Sequence, residues 1–214
     1  MTGVVVGVLG GSGGVGASSF AGVLATAAMP AVLVDLDIVG GGLDVLLGIE
    51  DARGARWSGL RLDGGRLDPH ALLDGLPRWR SVPVLAVDAD EPAPAAALQV
   101  IDTAARLGTV ITDLPRARSP LRDAVLGSCD LCVVVARSAV RDIAAARAVL
   151  RSLPDVATGL VLRRDELTAA EAADLIGVPL LGELPPLDHV PPPARRPSRV
   201  AARVAGGVLD GLAA

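Results

Sequence analysis

Apolar runs of strand length alternate with helix-period segments along almost the whole chain. The strand-like runs are Val4–Leu9, Ala31–Asp35, Val82–Val87, Thr109–Thr112, Leu131–Ala136, Thr158–Leu162 and Pro179–Gly182. Several are apolar nearly throughout, the pattern of parallel strands covered on both faces. Between them, Phe20, Val23, Leu24 and Ala27 recur at i, i+3, i+4, i+7 and predict a helix closed by Pro30. Further helices are predicted at Pro94–Arg106, Val140–Ser152 and Thr168–Ile176. Pro94 suits an opening helical position, and Thr168 followed by Glu171 reads as a capping box. This alternation predicts a single α/β domain over residues 1–214, with a mostly parallel central sheet flanked by helices. Crossovers should be right-handed and ligands should sit at the carboxyl ends of the strands.

Glu50–Pro77, rich in Gly, Arg and Asp, reads as irregular surface structure. Within residues 189–214, "HVPPPARRPSR" is a proline-rich connector to a terminal helix. That helix places Val200, Val204, Val208 and Leu212 on one face, flanked by Arg196, Arg199 and Arg203. With no Trp or Phe anchor, its expected place is against the core. Peripheral contact with an anionic membrane through residues 196–212 is the alternative.

Composition narrows the picture. The apolar fraction is 51%, the net charge is −4 and the pI is near 5.1, which argues against a chain-wide nucleic-acid footprint and any specific nucleic-acid partner. The first 34 residues carry no charged side chain, yet residues 10–16 are only Gly, Ser and Val, and no basic leader precedes them. A membrane span or signal peptide is therefore not the expected reading. Cys129 and Cys132 have no ligand spacing to His70 or His189, so they read as small core hydrophobes of a cytoplasmic protein. All 20 basic residues are arginine, so no lysine is available to any site.

The chemistry concentrates in "GVLGGSGGVGASSFAGVLA", residues 7–25. "GSGGVGAS" fits a phosphate-binding loop, G-x-x-x-x-G-K-[S/T], with the lysine replaced. In that reading Gly11, Ser12, Gly13, Gly14, Val15, Gly16, Ala17, Ser18 and Ser19 cradle phosphates with backbone N–H groups at a helix N-terminus, and Ser18 offers a hydroxyl to Mg²⁺. Gly11, Gly13 and Gly16 also fit the dinucleotide fingerprint, with Asp35 as the ribose acid of an NAD(P)-dependent oxidoreductase. The rest of the chain favours the first reading. Asp35 and Asp37 form a D-x-D pair after the second strand, and a ribose acid explains only one of them. The pair suits Mg²⁺ ligation through water and positioning of an attacking water, with Asp37 as the catalytic candidate. Asp113 closes the apolar run of "GTVITDLPR", as a Walker B carboxylate would.

Taken in order, "GGSGGVGASS", "LVDLDIVGGGLDVLLG" and "VITDLPR" resemble the deviant Walker ATPases of the ParA/MinD superfamily. "GGVGAS" and "LDVLLG" are similar to its CpaE/TadZ branch, and "GLRLDGGRLDPHALLDGLPRW" with "VPVLAVD" to the septum-site-determining (Ssd) proteins of that branch. The resemblance implies a P-loop NTPase fold of the SIMIBI, MinD/ParA-like class, binding ATP or ADP with Mg²⁺ and forming a homodimer. It implies partners among cell-division proteins or the ATPases of Flp/Tad pilus and secretion assemblies. Such proteins often carry an N-terminal receiver-like domain; this chain begins at the first strand, and the expectation is that it lacks one. The superfamily's two loop lysines are Ser12 and Ala17 here, and its adenine-reading Asn is Arg163. A charge-assisted phosphate contact is worth about 1.5–3 kcal/mol. Losing both lysines predicts weak or absent hydrolysis, with Arg116 and Arg118 as candidate compensating charges, or a scaffold that binds no nucleotide.

Overall fold

The computed structural model describes residues 3–62, 67–186 and 198–213. The proline-rich connector expected at 189–199 lies mostly outside these residues, as do His189 and Arg196.

The strands are β1 (Val5–Gly10), β2 (Ala31–Asp35), β3 (Arg78–Trp79), β4 (Val82–Leu85), β5 (Thr109–Asp113), β6 (Leu131–Arg137), β7 (Thr158–Arg163) and β8 (Leu180–Leu184). They form one sheet in the order β3-β4-β2-β5-β1-β6-β7-β8, parallel except for β3 against β4. The helices are α1 (Ala17–Ala27), α2 (Leu43–Leu47), α3 (Pro69–Asp74), α4 (Pro94–Ala105), α5 (Pro120–Leu126), α6 (Val140–Leu150), α7 (Ala169–Ile176) and α8 (Arg199–Ala213).

Inside the apolar strand runs, alternate residues serve opposite faces. Val6 and Val8 of β1, Leu33 of β2 and Val133 and Val135 of β6 pack with Phe20 and Leu24 of α1 and Ala205 and Val208 of α8. Val5 and Leu9, Val32 and Val34, and Val134 and Ala136 pack with Val100 of α4, Val125 of α5, Ile143 of α6 and Ala172 of α7. Each face of the sheet is thus roofed by helices, which is why both sets of positions are apolar.

The cap signals are realised. Pro94 opens α4, and at α7 the Thr168 hydroxyl accepts from the Glu171 N–H while the Glu171 carboxylate accepts from the Thr168 N–H. Three short helices escape the periodicity reading. Leu43–Leu47 spans five residues between Gly42 and Gly48, too short to show a period. Pro69–Asp74 lies in the segment read as irregular and is announced by Asp68 at its N-cap, and Pro120–Leu126 follows Ser119 in the same way. The predicted Val82–Val87 strand ends at Leu85 and gains an antiparallel neighbour, Arg78–Trp79. The final helix packs against α1 and β8, burying Ala201, Ala205 and Val208, while Val200 turns outward and Ala27 of α1 is exposed. Among the described residues, no helix is long and apolar enough to cross a membrane.

Candidate nucleotide site

The loop between β1 and α1 crosses the carboxyl edge of the sheet, where Gly11 N–H donates to the Val135 carbonyl at 2.8 Å. Gly14 and Gly16 hold φ of 68° and 83°, left-handed values that a side chain makes costly. Between them Val15 turns inward and is buried. Its carbonyl accepts from Nε of Arg163 at 2.9 Å, and Nη1 of that arginine donates to the Pro185 carbonyl at 2.7 Å. Arg163 is 3% exposed and works as a brace beneath the loop.

Above the loop the situation is reversed. A Cβ added at Gly13 or Gly14 would meet no heavy atom within 4 Å. Among the described residues, no acceptor meets the backbone N–H groups of residues 13–19. Unpaired donors converging at a helix N-terminus fit a phosphate group, so the residues present suit the nucleotide that the sequence implies.

The acids come from the two neighbouring strands. Asp35 and Asp113 stand side by side in the β2–β5 register. Asp35 is 1% exposed, and its carboxylate accepts from the N–H groups of Asp37 (3.1 Å), Leu43 (3.0 Å) and Val87 (3.4 Å). The Trp57 indole N–H donates to its main-chain carbonyl at 2.7 Å. Asp35 therefore shapes the segment that carries Asp37. Burial pushes its carboxyl up to about 6, against the pull of those three donors. Asp113 is pushed well above the usual carboxylate range, first by burial and then by the charge of Asp35, with the Ser18 hydroxyl bond opposing. Asp37 is half-buried, and its Oδ1 accepts from Val39 N–H at 3.1 Å.

Ser18, Asp37 and Asp113 line one cleft of about 530 Å³ together with Ser12, Gly13, Gly14, Val15, Gly16, Ala17 and Ser19. Gly11 lies in the same loop, whereas Asp35 and Arg163 sit behind the wall of the cleft. Three hard oxygen donors beside a phosphate cradle suit Mg²⁺, which keeps several waters and takes only one or two carboxylates. No cluster of three or more His, Cys, Asp or Glu able to hold a metal alone exists among the described residues. Cys132 is fully buried, Cys129 is half-buried, and burial pushes both thiols up to about 12, so they are inert at neutral pH.

Three residues of the surroundings went unread in the sequence. The Ser12 hydroxyl donates to Asp142 at the start of α6, and Asp142 pairs with Arg137 at 3.2 Å. Trp57 braces Asp35. Arg122, fully buried, donates to the carbonyls of Arg116 (2.9 Å) and Ser152 (3.0 Å) and so fixes the turn after β5. The contacts of Ser12 with Asp142, Trp57 with Asp35 and Arg122 with Ser152 are long-range and leave no local signature beyond an arginine in an apolar helix.

A dinucleotide fold would set β1 beside β2. Here β5 lies between them, and the carboxylate proposed for a ribose is buried and spent on backbone donors. The fold is instead the α/β P-loop NTPase fold in its MinD/ParA form. A ParA family ATPase from Chlorobium tepidum TLS matches with a TM-score of 0.77 at 19% identity, over 98% of this chain and 92% of that one. The MinC:MinD cell division protein complex of Aquifex aeolicus gives 0.75 at 17%, over 98% and 96%. MinD complexed with Mg-ADP from Pyrococcus horikoshii OT3 gives 0.67 at 18%, over 99% and 96%. At these identities the likeness is one of fold. In sequence, the chain is 45% identical over 195 residues to uncharacterized proteins from two strains of Mycobacterium tuberculosis, covering 85% of this chain and 54% of each relative. It thus spans about half the length of the curated relatives it matches. No protein-family model matches the chain.

Proposed function

We propose that the chain is a nucleotide-binding localisation factor of the ParA/MinD type, in the CpaE/TadZ and septum-site-determining branch, with a degenerate Walker A loop and weak or absent ATP hydrolysis. The observation that supports this best is the open row of N–H donors over residues 13–19, set in the cleft that Ser18 and Asp113 also line. In this reading the loop holds the phosphates of ATP or ADP. Ser18 and Asp113 hold Mg²⁺, in part through water, and the bound metal supplies charge neutralisation at the phosphates. Asp37 is placed to orient a water, while Asp35 and Arg163 keep the segment of Asp37 and the loop in shape. With Arg163 spent on two carbonyls, base identity is left to other groups. The protein would act in the cytoplasm as a homodimer that positions cell-division proteins or a pilus or secretion ATPase.

A thermal-shift titration tests the site. Millimolar Mg-ATP should raise the melting temperature of the wild type, and Ser18→Ala should remove that shift. No shift in the wild type would sink the nucleotide reading. It would leave a second one, a scaffold without nucleotide, which the Ser12–Asp142 bond favours because the residue at the signature-lysine position is tied to its own domain.

A further inference from the structure

Among the described residues, the cleft over the loop has one cation on its wall. Its lining residues are glycines, small polar and apolar groups, the carboxylates Asp37 and Asp113, and Arg116. A polyphosphate entering a site whose only charged neighbours were two carboxylates would be repelled, so the source of positive charge decides whether the site can work.

Five arginines among the described residues stand near the loop, and the structure sorts them: Arg163 is spent beneath it on the carbonyls of Val15 and Pro185. Arg118 is held by Asp123 at 2.8 Å and lies outside the cleft. Arg137 is paired with Asp142 on the far side of Ser12. Arg141 lines only the neighbouring cleft of about 640 Å³. Arg116 differs from the others in lining this cleft. It is exposed, and among the described residues no carboxylate pairs with its side chain. It lines both clefts, as do Ser12 and Gly13, so it stands across the crest of the loop from the position where a signature lysine would begin.

Its backbone is not loose. The Arg116 carbonyl accepts from Nη1 of the fully buried Arg122 at 2.9 Å, and the same guanidinium donates to the Ser152 carbonyl and hydroxyl at 3.0 and 3.2 Å. The turn that follows Asp113 is therefore anchored to the core, and of its two arginines Arg118 is held by Asp123 while Arg116 is left to the cleft. An anchored backbone lowers the entropy lost when that side chain closes on an anion. A guanidinium also presents paired donors to phosphate oxygens.

We propose that Arg116, anchored through Arg122, supplies in cis the positive charge that this loop lacks and is a direct ligand of the nucleotide phosphates. The inference rests on the nucleotide reading of the site and adds to it the residue that makes a loop without lysine workable.

Calorimetric titration with Mg-ATP tests it on the wild type, Arg116→Gln, Arg116→Lys, Arg118→Gln and the double variant Arg116→Gln/Ala17→Lys. Arg116→Gln should weaken binding by about 10–100-fold, the cost of one charge-assisted phosphate contact. Arg116→Lys keeps the charge without the paired donors and should fall between the wild type and Arg116→Gln, and Arg118→Gln should equal the wild type. The double variant should recover affinity, because a lysine at Ala17 would enter the same cleft from the first turn of α1. Since Arg116 is exposed, the melting temperature without nucleotide should not move in either Arg116 variant. Wild-type affinity in Arg116→Gln, or no recovery in the double variant, overturns the role of Arg116 while leaving the nucleotide site in place. No Mg-ATP binding by the wild type overturns the site and this inference together.

Discussion

Asp113→Asn should make the nucleotide-free protein more stable at pH 8 and abolish its response to Mg-ATP. Asp113 is buried beside Asp35, and both carboxyls are pushed upward by burial. Raised carboxyl values mean that the folded state holds protons which the unfolded chain has released. Unfolding free energy then falls as pH rises between the unfolded and folded values. For Asp35 that window runs from 3.8 to about 6, and the difference is worth about 3 kcal/mol against the folded state once both forms are ionised. Asp113 acts in the same direction. Asparagine keeps the shape of the side chain and removes a charge that repels Asp35. The melting temperature should rise by roughly 2–4 °C for each kcal/mol of relief in a chain of this size. The gain should be larger at pH 8 than at acid pH, where the raised Asp113 carboxyl takes up its proton in the wild type as well. In the same variant Mg²⁺ loses its buried carboxylate, and the shift caused by Mg-ATP should disappear. Thermal unfolding followed by circular dichroism at the two pH values, with and without Mg-ATP, measures both effects. A variant less stable than the wild type at pH 8 would contradict this account of the acidic pair.

The second large effect is a gain. Ala17→Lys should tighten Mg-ATP binding by about 10–100-fold and raise hydrolysis above that of the wild type. Ala17 opens α1 and lines the cleft, so a lysine stem would start beside Ser18 and reach over the loop. A cation at a helix N-terminus opposes the dipole, so the nucleotide-free variant should lose about 0.3–1 kcal/mol. That loss should reverse when nucleotide is present. The opposite signs with and without nucleotide distinguish a charge acting on phosphate from a change in helix stability. Phosphate release under single-turnover conditions measures the catalytic part, since a lysine that favours the transition state over the ground state raises rate as well as affinity. Unchanged affinity would mean that the cleft does not hold phosphate where the loop geometry places it.

Much of this arrangement could be read from the chain. The seven apolar runs each became a strand; in the central ones burial on both faces leaves little room for polar residues, while β8 at the sheet edge is largely exposed. Gly14 and Gly16 were legible as loop glycines, and the structure supplies the reason in their left-handed backbone. Asp35, Asp37 and Asp113 were legible as acids at strand ends, but their division of labour was not. Spacing could not show that the Asp35 carboxylate meets the Leu43 and Val87 N–H groups, since Val87 is 52 residues away. The resemblance places Arg163 at a base-reading position. Its bond to Val15, 148 residues earlier in the chain, exists only because β7 and the loop after β1 share an edge of the sheet. The short helices were missed because five to seven residues complete barely one or two turns, although Asp68 and Ser119 with their following prolines marked two of them.

The central claim is that a phosphate cradle without lysine still selects a nucleoside polyphosphate. Isothermal titration calorimetry of the wild-type protein with Mg-ATP, ADP and NAD in parallel tests it directly. The account predicts saturable binding of Mg-ATP, weakened when Mg²⁺ is chelated, and no heat of binding from NAD. Clear binding of NAD without binding of ATP would contradict it.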